Sequence, residues 1–371
     1  MNSQLAKKKK VFVGLSGGVD SSVSVALLKK QGYEVFGVFI KGWHPDWGTC
    51  GWREDRLDAM RVCAHLGIPF RDLDLSREYK KEVVDYMVSE YKVGRTPNPD
   101  VMCNRYIKFG AFFDYAVKNG ADFVATGHYA RVEHDTNTRM FANDTNKDQT
   151  YFLWTLTQRE LSRTLFPIGH LIKPEVRKLA KKFGLPTVEK KDSQGLCFVG
   201  KVDLPDFLSH FLKPKRGKVL LENGKVIGWH TGAFFLTIGQ RHGFTITKKT
   251  PADAPYYIVA KDIKKNTITV SQKTERPNLS GSVILCDVNW ISNDLGAGLP
   301  SGSPAPKFPL LARFRYRQPL QAVSLERLNL KSVKRFNLKV IFQNPQSAIA
   351  PGQSLVIYSK KGECLGGGII V

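Results

Sequence analysis

Cys103 is the first residue whose type and surroundings could do chemistry. It follows Asn98-Pro99-Asp100, and Pro97 and Pro99 keep this backbone extended and stiff, so we predict a rigid loop that leads into a helix. The start of a helix lowers the pKa of a thiol and favours the reactive thiolate. Asp100 could act as a general base or hold the edge of a nucleobase. The alternative is that Cys103 is a small buried hydrophobic residue, the usual role of a lone cysteine.

A glycine-rich segment follows a predicted strand and opens a predicted helix. It consists of Gly14, Leu15, Ser16, Gly17, Gly18, Val19, Asp20, Ser21 and Ser22. Glycines let a backbone approach a ligand, and N–H groups at the start of a helix attract anions. The segment lacks the Gly-Lys-Ser/Thr of the Walker loop. It resembles the pyrophosphate loop of the N-type ATP pyrophosphatases, which split ATP to AMP and pyrophosphate. That resemblance implies an ATP site with Mg²⁺ near Asp20. The alternative is a glycine-rich turn without a ligand.

Cys197 lies in a second polar segment that contains a glycine, 191–198, which we predict to be a loop over the sheet. Beside an adenylating loop, the pair Cys103 and Cys197 would suit a resolving thiol and a persulfide carrier. The two residues are far apart in the sequence, and a disulfide needs Cα atoms within about 7 Å. We therefore predict that the Cys197 loop is mobile. Burial as an inert hydrophobic residue is again the alternative.

Six motifs together resemble the tRNA-specific 2-thiouridylases of bacteria, in order and over nearly the whole chain. They are SGGVDSS at 16–22, NPDVMCNRYIKFG at 98–110, ATGHY at 125–129, DQTYFL at 148–153, DSQGLCF at 192–198 and TIGQR at 237–241. Three positions depart from the usual pattern of that family. Ile40 stands where methionine is common, Thr150 where serine is common, and Phe235 where an aromatic residue with a hydroxyl is common.

The resemblance implies a role for each group of residues. ATP would be bound by 14–21 together with Ile40 and Gly127. The target base would be met by Asn98, Pro99 and Asp100. Cys103 would be the nucleophile and resolving thiol, and Cys197 would carry the persulfide. The tRNA would be contacted by His128, Lys147, Asp148, Gln149, Arg315, Tyr316 and Gln353.

The reaction implied by the resemblance is 2-thiolation of the wobble uridine, U34, in tRNAs for Lys, Glu and Gln. ATP would adenylate the C2 oxygen of the uracil, and a persulfide would displace AMP. Sulfur would come from a cysteine desulfurase through relay proteins, either directly from the persulfide or as released hydrogen sulfide. Two other interpretations remain open: a small-molecule adenylating ligase with the same loop, and a non-catalytic RNA-binding protein. Pyrophosphate release that needs tRNA would distinguish the three.

The elements that must position these residues indicate an α/β domain followed by β structure. In the first ~200 residues, apolar strand segments alternate with helices, as in a parallel sheet covered on both faces. The family resemblance implies an adenine nucleotide hydrolase-like domain at 1–204. Asn-Gly and Lys-Asn turns then predict hairpins in a small, mainly β central domain at 205–278. Closely spaced strands predict a β-barrel at 279–371, with an exposed loop at 296–309.

Three arginines suggest where RNA would meet the barrel. Arg313, Arg315 and Arg317 alternate with apolar residues, so a strand through 312–317 would place all three on one face, where they could bind phosphate. The alternative is a solvated arginine face on a barrel. His128 follows a predicted strand at the end where open α/β sheets bind ligands, although it could instead be a hydrogen-bonded structural histidine.

Composition favours a polyanionic partner. The chain has 371 residues and a formal net charge of +23, which suits nucleic acid but also describes a basic solvated surface. The six cysteines form no CxxC pair, and the histidines show no metal-ligand spacing, so we expect neither a disulfide framework nor a zinc site. No apolar run approaches the ~20 residues of a membrane helix, and no signal peptide is evident. A cytoplasmic monomer is the expectation.

Overall fold

A computed structural model describes residues 8–48, 51–142, 147–191, 203–247, 254–272, 279–291, 310–328 and 337–371. The described residues form one α/β unit and two β units in chain order. Among the described residues, no helix is both long and apolar enough to cross a bilayer.

The N-terminal unit is built on a five-stranded sheet in which all neighbours are parallel. Its strands are β1 (Lys10–Gly14), β2 (Glu34–Lys41), β3 (Phe70–Asp74), β4 (Phe123–Ala125) and β7 (Thr164–Leu165), in the order β3-β2-β1-β4-β7. A two-stranded hairpin, β5 (Arg131–His134) and β6 (Thr138–Phe141), follows β4. The parallel sheet predicted from the alternating strands and helices is confirmed. Central strands of such sheets are covered on both faces, which is why Val11, Phe12 and Val13 are fully buried.

Helices connect and cover these strands. They are α1 (Val19–Lys30), α2 (Trp52–Leu66), α3 (76–92), α4 (99–118), α5 (Gln158–Leu161) and α6 (Lys173–Lys182). α2 ends at Gly67, which adopts a left-handed conformation with φ of 56°. The N–H of Gly67 donates to carbonyl oxygens in the last turn of the helix. α3 and α4 each contain a π-helical stretch, Lys80–Asp85 and Cys103–Ala111. π-Helical turns are rare and are often found at functional sites.

The middle unit is a five-stranded sheet reached through a short helix. The helix is α7 (Leu204–Ser209), and the strands are β8 (Gly217–Leu221), β9 (Val226–His230), β10 (Phe244–Ile246), β11 (Tyr257–Asp262) and β12 (Thr267–Ser271), in the order β10-β9-β8-β12-β11. Both predicted hairpins, β8–β9 and β11–β12, are confirmed. Phe207 and Leu208 of α7 are buried in the core of the N-terminal unit, so this helix fastens the two units together.

The C-terminal unit is a closed six-stranded barrel, as predicted. Its strands are β13 (Ser280–Trp290), β14 (Leu310–Arg313), β15 (Gln321–Leu328), β16 (Asn337–Gln346), β17 (Ser354–Tyr358) and β18 (Cys364–Ile370), in the order β13-β16-β15-β14-β17-β18. Closure removes the unpaired edges that an open sheet would expose. The predicted loop at 296–309 lies outside the described residues.

The predicted arginine strand is wrong in its second half. β14 ends at Arg313, and the next residues form a turn in which Gln318 accepts a hydrogen bond from the N–H of Phe314 at 3.1 Å. Arg317 then adopts a positive φ of 63°. Arg313 is buried and Arg315 is exposed, so the three guanidiniums do not share a face.

Candidate functional site

The glycine-rich segment forms the turn between β1 and α1. Gly17 has a φ of +74°, and a Cβ at this position would overlap the carbonyl oxygen of Asp55 at the start of α2. Only glycine therefore fits both the backbone conformation and the close approach of the neighbouring helix. The Ser21 hydroxyl accepts a hydrogen bond from the N–H of Ser16 at 3.2 Å. This hydrogen bond ties the loop to the first turn of α1.

Gly14, Ile40 and Gly127 lie at one edge of the sheet. Gly14 and Ile40 are near the carboxyl ends of β1 and β2, and Gly127 lies two residues beyond β4. A Cβ on Gly127 would approach the N–H of Ser21 to 2.8 Å, so this glycine lets the end of β4 pack against α1. The strand order reverses at β1, with β2 on one side and β4 on the other. Open α/β sheets bind ligands at such a switch point. The residues predicted to bind the nucleotide therefore lie at the edge of the sheet where a ligand is expected.

Asp20 is engaged by two residues from elsewhere in the N-terminal unit. Its Oδ1 accepts hydrogen bonds from the Tyr129 hydroxyl at 2.8 Å and from the Lys173 Nζ at 2.7 Å. The side chain of Asp20 is 30% exposed and that of Lys173 is 17% exposed. A carboxylate oxygen at the end of a phosphate-type loop is the donor that Mg²⁺ prefers. Asp20 is therefore the residue that would hold a Mg²⁺ ion accompanying the phosphates.

Cys103 does not lie on the loop that the sequence predicted. α4 begins at Pro99, and Asn98 caps it by accepting a hydrogen bond from the N–H of Val101 at 3.3 Å. Cys103 is therefore one turn inside the helix, at the start of the π-helical stretch, and its exposed fraction is 0%. The prolines lie at the start of the helix, as the sequence suggested, but the helix begins before Cys103 and not after it. Any reaction at this thiol requires the covering residues to move.

The segment in front of α4 is held by both β units. The N–H of Thr96 donates to the carbonyl oxygen of Pro351 at 2.7 Å, and Nε2 of Gln353 donates to the carbonyl oxygen of Thr96 at 2.9 Å. The hydroxyls of Thr96 and Thr237 lie 3.0 Å apart. Gly352 makes room for this contact, because a Cβ there would lie 2.9 Å from the N–H of Thr96. The barrel and the middle sheet together position the residues predicted to meet the target base.

The DQTYFL segment joins the N-terminal unit to the barrel. Asp148 is 2% exposed and forms a buried ion pair with Arg313, and it also accepts hydrogen bonds from the N–H and hydroxyl of Thr150 at 2.9 and 2.6 Å. Gln149 accepts a hydrogen bond from the N–H of Tyr129 at 2.9 Å. In this structure the carboxylate of Asp148 faces the protein interior, because an arginine of the barrel neutralises it there.

His128 is placed as a structural histidine in this structure. Its Nδ1 lies 2.7 Å from the Thr126 hydroxyl, and the residue is 8% exposed. Burial, reinforced by the nearby charge of Lys108, lowers the pKa of His128 well below 6.5. The ring is therefore neutral at physiological pH and cannot pair with a phosphate as a cation.

The remaining residues predicted to contact RNA are more accessible. Arg315 is exposed and donates a hydrogen bond to the carbonyl oxygen of Ala348. The ring of Tyr316 lies 4.8 Å from that of Phe152, and Lys147 lies over the ring of Tyr129 at 5.2 Å. These side chains come from two units and lie at the same seam as the DQTYFL segment, which is the boundary between the N-terminal unit and the barrel. An aromatic ring beside cationic groups can stack a base and hold a phosphate.

Cys197 and the predicted motion of its loop lie outside the described residues, but the chain on the near side of that loop is anchored beside the phosphate loop. Nζ of Lys190 pairs with Asp55 and Asp58 of α2, each at 2.6 Å. Asp55 is the residue whose carbonyl oxygen packs against Gly17. Sequence reasoning missed Lys173, Tyr129 and Lys190 as residues of this site. Tyr129 ended a recognised motif and was a detectable candidate, whereas the two lysines had no local signal.

Three family models match the chain in succession. They are described as a tRNA methyl transferase HUP domain at 9–201, a tRNA methyl transferase PRC-barrel domain at 205–272, and an aminomethyltransferase beta-barrel domain at 281–370.

Curated relatives match over nearly the whole chain. A tRNA-specific 2-thiouridylase, MnmA 2, of Geobacillus kaustophilus is 46% identical over 366 residues, covering 97% of this chain and 94% of the relative. The MnmA of Flavobacterium johnsoniae is 44% identical, covering 98% of this chain and 100% of the relative. Among solved structures, the U34-tRNA thiolase NcsA of Methanococcus maripaludis matches with 20% identity and a TM-score of 0.35, over 57% of this chain and 66% of that one.

Proposed function

Because this chain belongs to the family of tRNA-specific 2-thiouridylases, we propose that it replaces the C2 oxygen of a tRNA uridine by sulfur, using ATP. One observation carries this proposal beyond the similarity itself. α4 contains Cys103 and also contacts the phosphate loop, since a Cβ on Gly14 would lie 3.4 Å from the ring of Phe112. Phe112 lies nine positions after Cys103 on the same continuous helix. A single helix thus links the thiol to the nucleotide cleft.

In the first step the C2 oxygen of the uracil attacks the α-phosphorus of ATP. The bond from that phosphorus to the bridging oxygen breaks, and pyrophosphate leaves with the electron pair. The uracil N3 loses its proton to the carboxylate of Asp100, which lies in the first turn of α4. The phosphate loop at 14–21 cradles the phosphates with its N–H groups, and Ile40 and Gly127 line the nucleotide pocket. Mg²⁺ held at Asp20 would neutralise phosphate charge.

In the second step the terminal sulfur of a Cys197 persulfide attacks C2, and AMP leaves with the electron pair of the C2–O bond. The Cys103 thiolate then attacks Sγ of Cys197, which breaks the bond to the transferred sulfur. That sulfur stays on C2, and N3 regains a proton, giving 2-thiouridine and a Cys103–Cys197 disulfide. A thiol reductant supplies the two electrons that reopen the disulfide. In the variant order, Cys103 attacks first and hydrogen sulfide is released to attack C2.

The anchored chain beside Cys197 limits how far this thiol can travel. Seven residues lead from Lys190 to Cys197, and an extended chain of that length spans about 23 Å. This segment starts at Lys190, which is anchored on α2 beside Gly17. Since Cys103 is buried, the reaction also needs α4 or its cover to open, and binding of the tRNA at the seam between the units could supply that motion.

We assign the RNA contacts according to exposure. Arg315, Tyr316 and Lys147 would touch the anticodon arm directly. Asn98 and Pro99 would meet the flipped base together with Asp100. Gln149 and Gln353 are half-buried like Lys147 and Tyr316 and keep the proposed tRNA contact, whereas the buried Asp148 and His128 support that surface through the hydrogen bonds described above. The net charge of +23 favours association with a polyanion.

The partners follow from this reaction. We propose that the substrates are the tRNAs for Lys, Glu and Gln, modified at U34. Sulfur is delivered by a cysteine desulfurase, directly or through a relay protein, and the enzyme works as a cytoplasmic monomer.

Pyrophosphate release tests the proposed function. The purified protein, ATP and Mg²⁺ should release pyrophosphate only when an unmodified tRNA with U34 is added, and a transcript with C34 is the matched control. Equal release with both transcripts, or release that needs only a small-molecule acceptor, would contradict the proposal.

A further inference from the structure

Lys173 reaches the phosphate loop from a distant part of the chain. Its Nζ lies 2.7 Å from Oδ1 of Asp20, although the two residues are 153 positions apart. The side chain of Lys173 is only 17% exposed. A lysine loses solvation and side-chain entropy when it is held in this way. A lysine held in this way beside a phosphate-type loop is a candidate for binding phosphate.

The position of Lys173 is fixed by packing. It is the first residue of α6, and the N–H of Ile172 just before it donates to Oε2 of Glu175 at 2.9 Å. α6 packs on α1 through a shared core that includes Val23 and Val176. The first residue of α6 is therefore held rigidly beside the second residue of α1, which is Asp20.

From this geometry we propose that Lys173 is a catalytic residue that binds the departing pyrophosphate. This inference rests on the proposed function. When the bond between the α-phosphorus and the bridging oxygen breaks, negative charge grows on the β-phosphate side. A preorganised cation there stabilises the transition state more than the bound ATP. A lysine suits this task because its ammonium is a compact point charge on a flexible stem.

The ion pair with Asp20 explains how the charges of this site are balanced both without and with bound nucleotide. Without nucleotide, Lys173 and Asp20 neutralise each other in a half-buried place, where a lone charge would be costly. With Mg²⁺ and the phosphates bound, Asp20 would hold the metal ion, and the ammonium of Lys173 would bind the phosphate oxygens. The Tyr129 hydroxyl, 2.8 Å from Asp20, keeps the carboxylate in place in both cases.

The test compares Lys173→Met with Lys178→Met, which removes the same charge from an exposed position on the same helix. Binding of Mg-pyrophosphate and of AMP is measured by calorimetry without tRNA. We expect Lys173→Met to weaken pyrophosphate binding at least tenfold and to leave AMP binding within twofold. Lys178→Met should change neither, and Lys173→Arg should restore part of the affinity. Equal weakening of both ligands would show a merely structural role and overturn the proposal.

A kinetic measurement separates this proposal from the proposed function. In single turnover with tRNA, Lys173→Met should release pyrophosphate about 100-fold more slowly at saturating ATP. Wild-type rates in this variant, with normal thiolation, would overturn the role of Lys173 and leave the proposed function intact. If the wild-type protein itself released no pyrophosphate with tRNA, the proposed function would fail, while the calorimetric comparison would still decide whether Lys173 binds pyrophosphate.

Discussion

Replacement of Arg313 by methionine should destabilise the junction between the N-terminal unit and the barrel. The side chains of Arg313 and Asp148 are 6% and 2% exposed, so the substitution leaves a buried carboxylate without its cation. Removing one partner of such a pair typically costs 3–5 kcal/mol. Asp148 keeps two donors on Thr150, and the Tyr358 hydroxyl loses contacts at 3.0 and 3.2 Å. We therefore expect the lower end, about 3 kcal/mol.

Urea unfolding followed by intrinsic fluorescence measures this loss. With a slope of about 3 kcal/mol per M, the midpoint should fall by about 1 M. Arg317→Met is the matched control, because Arg317 is exposed in the turn after the same strand, and it should shift stability by less than 0.5 kcal/mol.

A double-mutant cycle identifies the cause. Asp148→Asn combined with Arg313→Met removes both charges, so the double variant should lose much less than the sum of the single losses. Additive losses, or an Arg313→Met variant as stable as the control, would refute the reasoning. A further outcome separates the two roles considered for Asp148. If Asp148→Asn weakened tRNA binding without any loss of stability, the carboxylate would act on RNA and not at the junction.

Three further predictions follow from single residues. Gly17→Ala should weaken ATP binding at least 100-fold in calorimetry, because the new Cβ overlaps Asp55; Gly32→Ala, with φ of +90° but open space around it, is the control that should bind normally. Gln353→Ala should lower kcat for thiolation about tenfold and leave KM for ATP unchanged, since it frees the segment before α4; a change in KM for ATP alone would contradict this. His128 has a folded-state pKa below 6.5, so its contribution to stability is present above pH 6.5 and is lost as pH falls towards the folded value. His128→Gln should therefore flatten the decline of the urea midpoint between pH 6.5 and 5, and an unchanged decline would exclude this residue as its source.

Much of the fold could be predicted because local chemistry and tertiary structure agree. Asn223-Gly224 marked the turn between β8 and β9, and buried apolar runs marked β1, β2 and β4. β3 was missed because its sequence, FRDLD, is polar and only partly buried at an edge of the sheet. The strand predicted through 312–317 continued past the end of β14, since the alternation of arginines with apolar residues cannot show that the chain turns after Arg313.

The candidate site could be predicted only where it is continuous in sequence. The phosphate loop and the segment before Cys103 each carry their own signal, in glycine and proline. The contacts that complete the site join distant residues: Lys173 to Asp20, Gln353 to Thr96, and Arg313 to Asp148 across 165 positions. An arginine in a strand looks the same in the sequence whether a phosphate or a buried carboxylate neutralises it. Only the packing of the barrel against the N-terminal unit decides between them.

The most direct test of the proposed function is a single turnover of the persulfide-loaded enzyme. The protein is loaded by a cysteine desulfurase with ³⁵S-cysteine and mixed with tRNA, ATP and Mg²⁺, and nucleosides and peptides are then analysed by mass spectrometry. We predict labelled 2-thiouridine and AMP in equal amounts, together with a Cys103–Cys197 disulfide, and neither free 2-thiouridine nor the disulfide in Cys103→Ser. Labelled 2-thiouridine at the wild-type level in Cys103→Ser, or its formation without AMP, would contradict the account.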